Sequence, residues 1–347
     1  MPERARIAVI GAGWWGTQVY VPALLADPRA ELVAVTRTDR EGLDRLASTF
    51  GVNGYTDHRA MLAAERPDGV IVSSPHPAHF ENAMAALGQG AHLLVDKPMT
   101  TSAADARALV AEASQREREI VVAYGWNFKD FAVRAAELVQ AGEIGEVRHA
   151  ALQMASPTED LFAGEGLVET EGHMFRPPPS TWADPAAAGG YGWGQLSHAL
   201  GLLFAVVPLA PAEVFAVAGL SPAGVDTFDA LALRLANGAT ASVSGAATVP
   251  KHCGYQLDLR VFGTAGMLLL DIERQRMEVR RKDRRDTVLD LPPGAGAYAA
   301  EPAVARLVDL CLGTAARNEA PGLVGQRAVE VLDAMHRSLA SGRAERV

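Results

Sequence analysis

Ile7-Ala8-Val9-Ile10-Gly11-Ala12-Gly13-Trp14-Trp15-Gly16 is the stretch that decides the fold. Four apolar residues in a row read as a strand buried on both faces. The glycines then fit Gly-x-Gly-x-x-Gly at the opening of a helix, Trp15 to Ala26, stopped by Asp27-Pro28. Glycine permits the tight turn and lets the backbone approach a pyrophosphate, which meets the helix N-terminus. Alone the pattern is weak, because glycine turns are common. Here the strand, the helix and a second strand about 20 residues on supply the context that makes it a dinucleotide site.

Working outward, strand and helix signals alternate. Leu32-Val33-Ala34-Val35 is the second strand, and Glu41 to Thr49 a helix closed by Gly51. Val70-Ile71-Val72, His92 to Val95 and Ile120-Val121-Val122 are further buried strands. They are separated by helices His79 to Leu87 and Ala103 to Ser114. Apolar strands alternating with helices imply an α/β, doubly wound parallel sheet of the Rossmann kind, expected over residues 1–123.

Beyond that point the pattern changes. A helix from Val133 to Gln140 is followed by seven strand-like segments: Val147–Met154, Val214–Ala218, Ala230–Leu235, Ala239–Ala246, Leu257–Phe262, Met267–Asp271 and Met277–Arg280. Asn237-Gly238 and Gly263-Thr-Ala-Gly266 are hairpin signals. Ser156 to Gly194 is irregular and Gly/Pro-rich, and Ser197 to Val207 reads as one apolar helix. The expectation for 124–347 is a C-terminal α+β domain with a large open, mostly antiparallel sheet that binds substrate and self-associates, its last helix free to pack back on the first domain.

Composition narrows the function. The 347 residues carry 32 Lys+Arg against 41 Asp+Glu, a net charge of −9, which argues against a nucleic-acid partner. With 49% hydrophobic and 21% charged residues the chain can bury a core. No apolar run approaches the roughly 18–20 residues of a membrane span, and Met-Pro-Glu-Arg-Ala-Arg carries no signal-peptide core. Cys253 and Cys311 are too few for a disulfide scaffold and suit a reducing cytoplasm. No Cys/His/Asp set has metal spacing, so no metal is expected. Arg274 to Arg285 holds seven basic residues broken by acids, a solvated hairpin rather than a nucleic-acid patch. His173 and His252 stand outside any motif and read as surface or loop residues.

The end of the second strand selects the cofactor. An acid there binds a ribose 2′-OH, whereas Arg suits a 2′-phosphate. Val35-Thr36-Arg37-Thr38-Asp39-Arg40 puts a guanidinium at that place, with hydroxyls of Thr36 and Thr38 beside it. NADP is favoured. The alternative makes Arg37 a solvated loop residue and Asp39 the NAD ligand. Further on, Asp96-Lys97-Pro98 follows a parallel strand, and a lysine there lies where such sheets bind ligands. Burial beside a cofactor lowers a lysine pKa toward the range useful for proton transfer.

Taken together, Gly11-x-Gly13-x-x-Gly16, Ser73-Ser74-Pro75-x-x-x-His79 and Gly90-Ala-His-Leu-Leu-Val-Asp96-Lys97-Pro98 resemble the Gfo/Idh/MocA oxidoreductase family. The likeness continues through Ala141-Gly142-Glu143-Ile144-Gly145-Glu146-Val147, Trp182, Gly189-Gly190, His198 and Phe262 to Met267. It runs from residue 5 to about 335. The resemblance implies an NAD(P)-dependent enzyme that moves a hydride between nicotinamide and a hydroxyl or ketone carbon of a sugar or cyclitol. Lys97 would be the general acid/base and His198 its partner or the substrate's orienter, a reading favoured over His198 as a structural cap of its helix. Gly11, Gly13, Trp14, Trp15, Gly16, Arg37, Thr38, Ser73, Ser74, Pro75, His76, Asp96 and Lys97 would hold the cofactor, Asp96 standing where the family usually has Glu. Lys97, Trp126, Asn127, Tyr191, Gln195 and His198 would meet the substrate.

Two departures matter. Ala188 to His198 keeps the family's histidine but has Gly194 where an Asp is common, leaving Gln195 or Tyr191 to substitute in part. Asn127 stands where arginine is frequent. The pocket is thus less charged and more aromatic, with Trp126, Phe128, Tyr191 and Trp193 either stacking on a sugar or packing the core. Two rival functions remain: a net non-redox sugar reaction (glycoside cleavage or epimerisation) with transient use of bound NAD(P), and a non-catalytic dinucleotide sensor. A homodimer or homotetramer is expected.

Overall fold

In a computed structural model of the chain, six strands form a parallel sheet. They are β1 (Ala5–Ile10), β2 (Ala30–Thr36), β3 (Asn53–Tyr55), β4 (Gly69–Val72), β5 (His92–Val95) and β6 (Ile120–Val122). The structure describes residues 4–167 and 170–347. Met1–Glu3, and Val168 and Glu169 within the stretch read as irregular, lie outside the described residues. The strand order is β3-β2-β1-β4-β5-β6, every pairing parallel. Val70, Ile71 and Val72 have no exposed surface, which is why this strand shows no polar alternation. The order reverses between β1 and β4, so the carboxyl ends of β1, β4 and β5 surround the crevice where such sheets take ligands.

Helices fill both faces. Asp39 caps the helix Arg40–Phe50 by accepting from Gly42 N–H, and Gly51 at φ 67° ends it. Ser102 caps Ala103–Gln115 in the same way. The chain gathers into two compact units. The first takes Met1–Ala123 together with two later segments, Gly166–Pro178 and Ala300–Gln326. In the last of these, the helix Glu301–Cys311 packs so closely that a Cβ at Gly69 would lie 2.7 Å from Cys311 Sγ. Val122 N–H donates to Ala320 O at 2.8 Å.

The second unit is built on nine strands: β7 (Val147–Ala155), β8 (Pro211–Leu220), β9 (Asp226–Leu235), β10 (Thr240–Ala246), β11 (Gln256–Gly263), β12 (Gly266–Asp271), β13 (Arg276–Arg281), β14 (Thr287–Asp290) and β15 (Glu345–Arg346). Their order is β14-β13-β12-β11-β7-β10-β9-β8-β15, with β7–β10 the one parallel pairing. Along β9 buried and exposed residues alternate, so one face packs on helices and the other stays open. The open face carries Phe215, Val217, Phe228 and Phe262. On the packed face lie Ser197–Val206, an apolar helix with nine buried residues, and the C-terminal helix Gly322–Ser341, whose Ser338 Oγ accepts from Ala216 N–H in β8. Among the described residues no helix is long and apolar enough to cross a membrane.

Candidate active site

Straight after β1 the chain turns on Gly11 at φ 80°. A Cβ there would lie 2.5 Å from the Ser74 backbone, so only glycine fits. Gly11 N–H donates to Thr36 Oγ1 at 3.1 Å and Ala12 N–H to Thr36 O at 3.0 Å, which pins the turn to the end of β2. Gly13 is different. A Cβ on it would meet nothing nearer than Gly11 O at 3.8 Å, so its backbone faces free space at the start of a helix. That cradle fits a pyrophosphate, which the helix N-terminus would hold. The helix enters through a π-helical turn, Gly16–Tyr20, before Val21–Ala26, and Thr17 Oγ1 donates back to Gly13 O at 2.8 Å. Trp14 and Trp15 are half-buried and meet edge to face, their centroids 5.5 Å apart.

At the tip of β2, Arg37 reaches Asp39 Oδ2 with Nε (3.3 Å) and Ala12 O with Nη1 (3.5 Å). Its guanidinium carbon lies 3.7 Å from the ring centroid of Phe175. Asp39 is occupied as a helix cap, and Thr38 is exposed. His173 sits in a loop, as expected, but it is not idle: its Nδ1 accepts from Trp14 Nε1 at 2.7 Å. Phe175 and His173 come from the segment Gly166–Pro178, and no local pattern announces either of them.

At the ends of β4 and β5 two loops are tied by one histidine. His79, almost fully buried, places Nε2 2.7 Å from Ser74 O and Nδ1 2.8 Å from Pro98 O. Burial lowers its pKa against the pull of Asp96 and the two carbonyls. Asn82 Nδ2 donates to Ser74 Oγ at 2.8 Å. Ser73 lines the inner side of Gly16, Pro75 is exposed, and His76 is buried edge-on to His79. Asp96 Oδ1 accepts from Lys97 N–H at 2.8 Å, and the Lys97–Pro98 peptide is cis. Lys97 is half-buried, and burial lowers the pKa of its amine while Asp96 opposes that shift. A lysine made more acidic at the carboxyl edge of the sheet is suited to giving and taking a proton.

In the second unit a π-helical turn, Gly192–Leu196, leads into the helix that carries His198. His198 is ringed edge to face by Tyr298 (5.1 Å), Trp126 (5.5 Å) and Tyr124 (6.2 Å). Tyr298 lies a hundred residues downstream, in a stretch with no motif of its own. Several expected substrate ligands are engaged by the protein. Trp126 Nε1 donates to Gly296 O at 3.0 Å, and Asn127 Nδ2 to Gly201 O at 3.1 Å with only 3% of the residue exposed. Tyr191 is fully buried, its hydroxyl 3.2 Å from Met154 O and 3.3 Å from Ser156 Oγ. Gln195 is buried, and Trp193 stacks on His336 at 5.3 Å. At Gly194, where the family often has Asp, a Cβ would meet Phe162 at 3.1 Å and Trp182 at 3.5 Å. Aromatic rings take that space. Asp226, from β9, accepts Gly192 N–H at 2.6 Å. Beside it Asp229 is buried, and desolvation together with the Asp226 charge holds its pKa well above the usual carboxylate range. Among the described residues no cluster of three His, Cys, Asp or Glu could hold a metal.

Comparison with known proteins places this geometry. Residues 5–124 match the GFO/IDH/MocA model for an oxidoreductase family with an NAD-binding Rossmann fold, and residues 132–269 match the GFO/IDH/MocA C-terminal domain. The chain is 30% identical over 317 residues to dTDP-3,4-didehydro-2,6-dideoxy-alpha-D-glucose 3-reductase of Streptomyces antibioticus, covering 85% of this chain and 86% of that one. It is 34% identical over 126 residues to D-xylose 1-dehydrogenase (NADP(+)) of Hypocrea jecorina, 35% of this chain and 32% of the relative. The crystal structure of GenD2 from gentamicin A biosynthesis, in complex with NAD, is similar at a TM-score of 0.75 and 25% identity, over 100% of this chain and 97% of that one. On the fold, the glycine turn and these matches, the chain belongs to the Gfo/Idh/MocA family of oxidoreductases.

Proposed function

We propose that the protein is an NADP-preferring oxidoreductase acting on a secondary alcohol or ketone of a sugar-like molecule, with Lys97 as its general acid/base. The carrying observation is Lys97 itself, a half-buried amine of lowered pKa on the carboxyl edge of the sheet whose glycine turn cradles the cofactor. When bound, the dinucleotide supplies or accepts the hydride at the substrate carbon. Lys97 Nζ takes the hydroxyl proton in oxidation and returns it to the carbonyl oxygen in reduction. Gly11, Gly13 and Gly16 admit the pyrophosphate, Arg37 meets a phosphate on the adenosine ribose, and Ser73 to His76 with Asp96 line the remainder. His198, inside its aromatic ring, orients the substrate. The names of the two curated relatives, a dTDP-sugar reductase and a xylose dehydrogenase, support a sugar. Lys97→Ala should leave dinucleotide affinity nearly unchanged in a fluorescence titration and lower turnover by about 10²–10⁴-fold. Normal turnover in that variant overturns the reading, and turnover without net absorbance change of the nicotinamide replaces it with a redox-neutral one. The open sheet face with Phe215, Val217, Phe228 and Phe262 is proposed to pair with a second copy. A monomer mass by light scattering removes that part.

A further inference from the structure

We propose that Phe175 is a positioning residue for cofactor choice, acting through Arg37; this rests on the reading that Arg37 meets a 2′-phosphate. The polar bonds of Arg37 are long, 3.3 Å to Asp39 Oδ2 and 3.5 Å to Ala12 O. The close contact is with Phe175, whose ring centroid is 3.7 Å from the guanidinium carbon. A guanidinium laid flat on a ring keeps its N–H donors pointing outward in its own plane, the direction from which a phosphate is gripped by two bonds at once. The ring removes water from one face and fixes a side chain that would otherwise sample many rotamers.

The ring is itself held. Phe175 is 6% exposed. On one side Arg45 Nη2 donates to Met174 O at 2.7 Å and its guanidinium lies 4.9 Å from the same ring. On the other, His173 is bonded to Trp14 next to the glycine turn. Gly42 makes room for the group: a Cβ there would overlap Asp39 Oδ2, lie 2.6 Å from Arg37 Nε and 3.1 Å from Phe175. Two arginines thus share one ring, and the Asp39 carboxylate beside Arg37 also accepts Gly42 N–H. A 2′-phosphate, which accepts two charge-assisted bonds, gains more from this guanidinium than an unphosphorylated ribose does.

The test measures Kd for NADPH and for NADH on the full chain by nicotinamide fluorescence, with melting curves to verify folding. Phe175→Ala and Phe175→Leu should each weaken NADPH about tenfold and leave NADH within about twofold, while Phe175→Tyr retains the preference. In the Arg37→Ala background the Phe175 changes should add nothing further. If Arg37→Ala collapses the NADPH/NADH ratio and Phe175→Leu does not, the role of Phe175 is overturned and the reading of Arg37 stands. Equal loss of both dinucleotides in the Phe175 variants also overturns it. An unchanged ratio in Arg37→Ala overturns both.

Discussion

Two glycine-rich turns, Gly11 to Gly16 and Gly189 to Gly194, look alike and differ in what they make room for. Each passes through a π-helical turn into a helix, Gly16–Tyr20 in one unit and Gly192–Leu196 in the other. In the first, Gly13 faces open space and can admit a ligand. In the second, the protein has filled every gap. A Cβ at Gly189 would lie 2.6 Å from Trp182 O, one at Gly190 would overlap Asp226, and one at Gly194 would press on Phe162. The same residue type therefore leaves space for recognition at Gly13 and serves dense packing at Gly11 and through the second turn. Sequence spacing alone does not separate them.

The contrast can be broken by substitution. Gly190 sits at φ 105°, and its missing Cβ is the space of the Asp226 carboxylate. Gly190→Ala should cost about 2–5 kcal/mol in chemical denaturation, from backbone strain plus overpacking. Gly13→Ala should do the opposite, melting within a degree or two of the parent while dinucleotide Kd rises about tenfold or more, since the added methyl stands where the phosphate belongs. A large loss of stability in Gly13→Ala would make the first turn a packing device like the second.

Asp229 sharpens the second turn through pH. Its folded-state pKa is raised, so the fold favours the protonated acid. That contribution is present at low pH and is lost as pH rises from the ordinary carboxylate value through the raised one. Asp229→Asn keeps the shape without the charge and should be about 1 kcal/mol more stable than the parent at about pH 8, the gain fading in mildly acidic buffer. Melting curves across pH measure the difference, and a gain that grows on acidification would refute the assignment. The smallest effect is expected at Gly16, where a Cβ meets Ser73 Oγ at an ordinary 3.5 Å. Gly16→Ala should stay within about 0.5 kcal/mol of the parent.

How much of this was legible follows from burial and from distance along the chain. Strands covered on both faces announce themselves as unbroken apolar runs, so β1, β2, β4, β5 and β6 could be read directly. β3 could not, because Asn53-Gly54-Tyr55 is a short, largely exposed edge, and the short helix His58–Glu65 follows it directly. β14 and β15 are likewise short edge strands. In the candidate site, Gly11, Arg37 and Lys97 are legible because each belongs to a local strand-to-loop pattern. Phe175 and His173 are not. His173 meets Trp14 across 159 residues, from a Pro-rich stretch with no period, and only the folded chain brings them together. Tyr191 shows the reverse. Its aromatic character leaves sugar stacking and core packing equally open, and the fold buries the ring and gives its hydroxyl to Met154 O.

The outer edge of β6 carries a consequence for biogenesis. Val122 N–H is met by Ala320 O, Val121 bridges Pro321, and Asn318 Nδ2 donates to Ile120 O from 198 residues away. At about 5–20 residues per second a ribosome needs roughly 10–40 s to supply that closing piece. For that interval the nascent parallel sheet ends in an apolar, unpaired Ile-Val-Val edge, the kind of template that recruits other chains. The sheet of the first half of the molecule is thus closed by a segment from its own C-terminal third, which is made last.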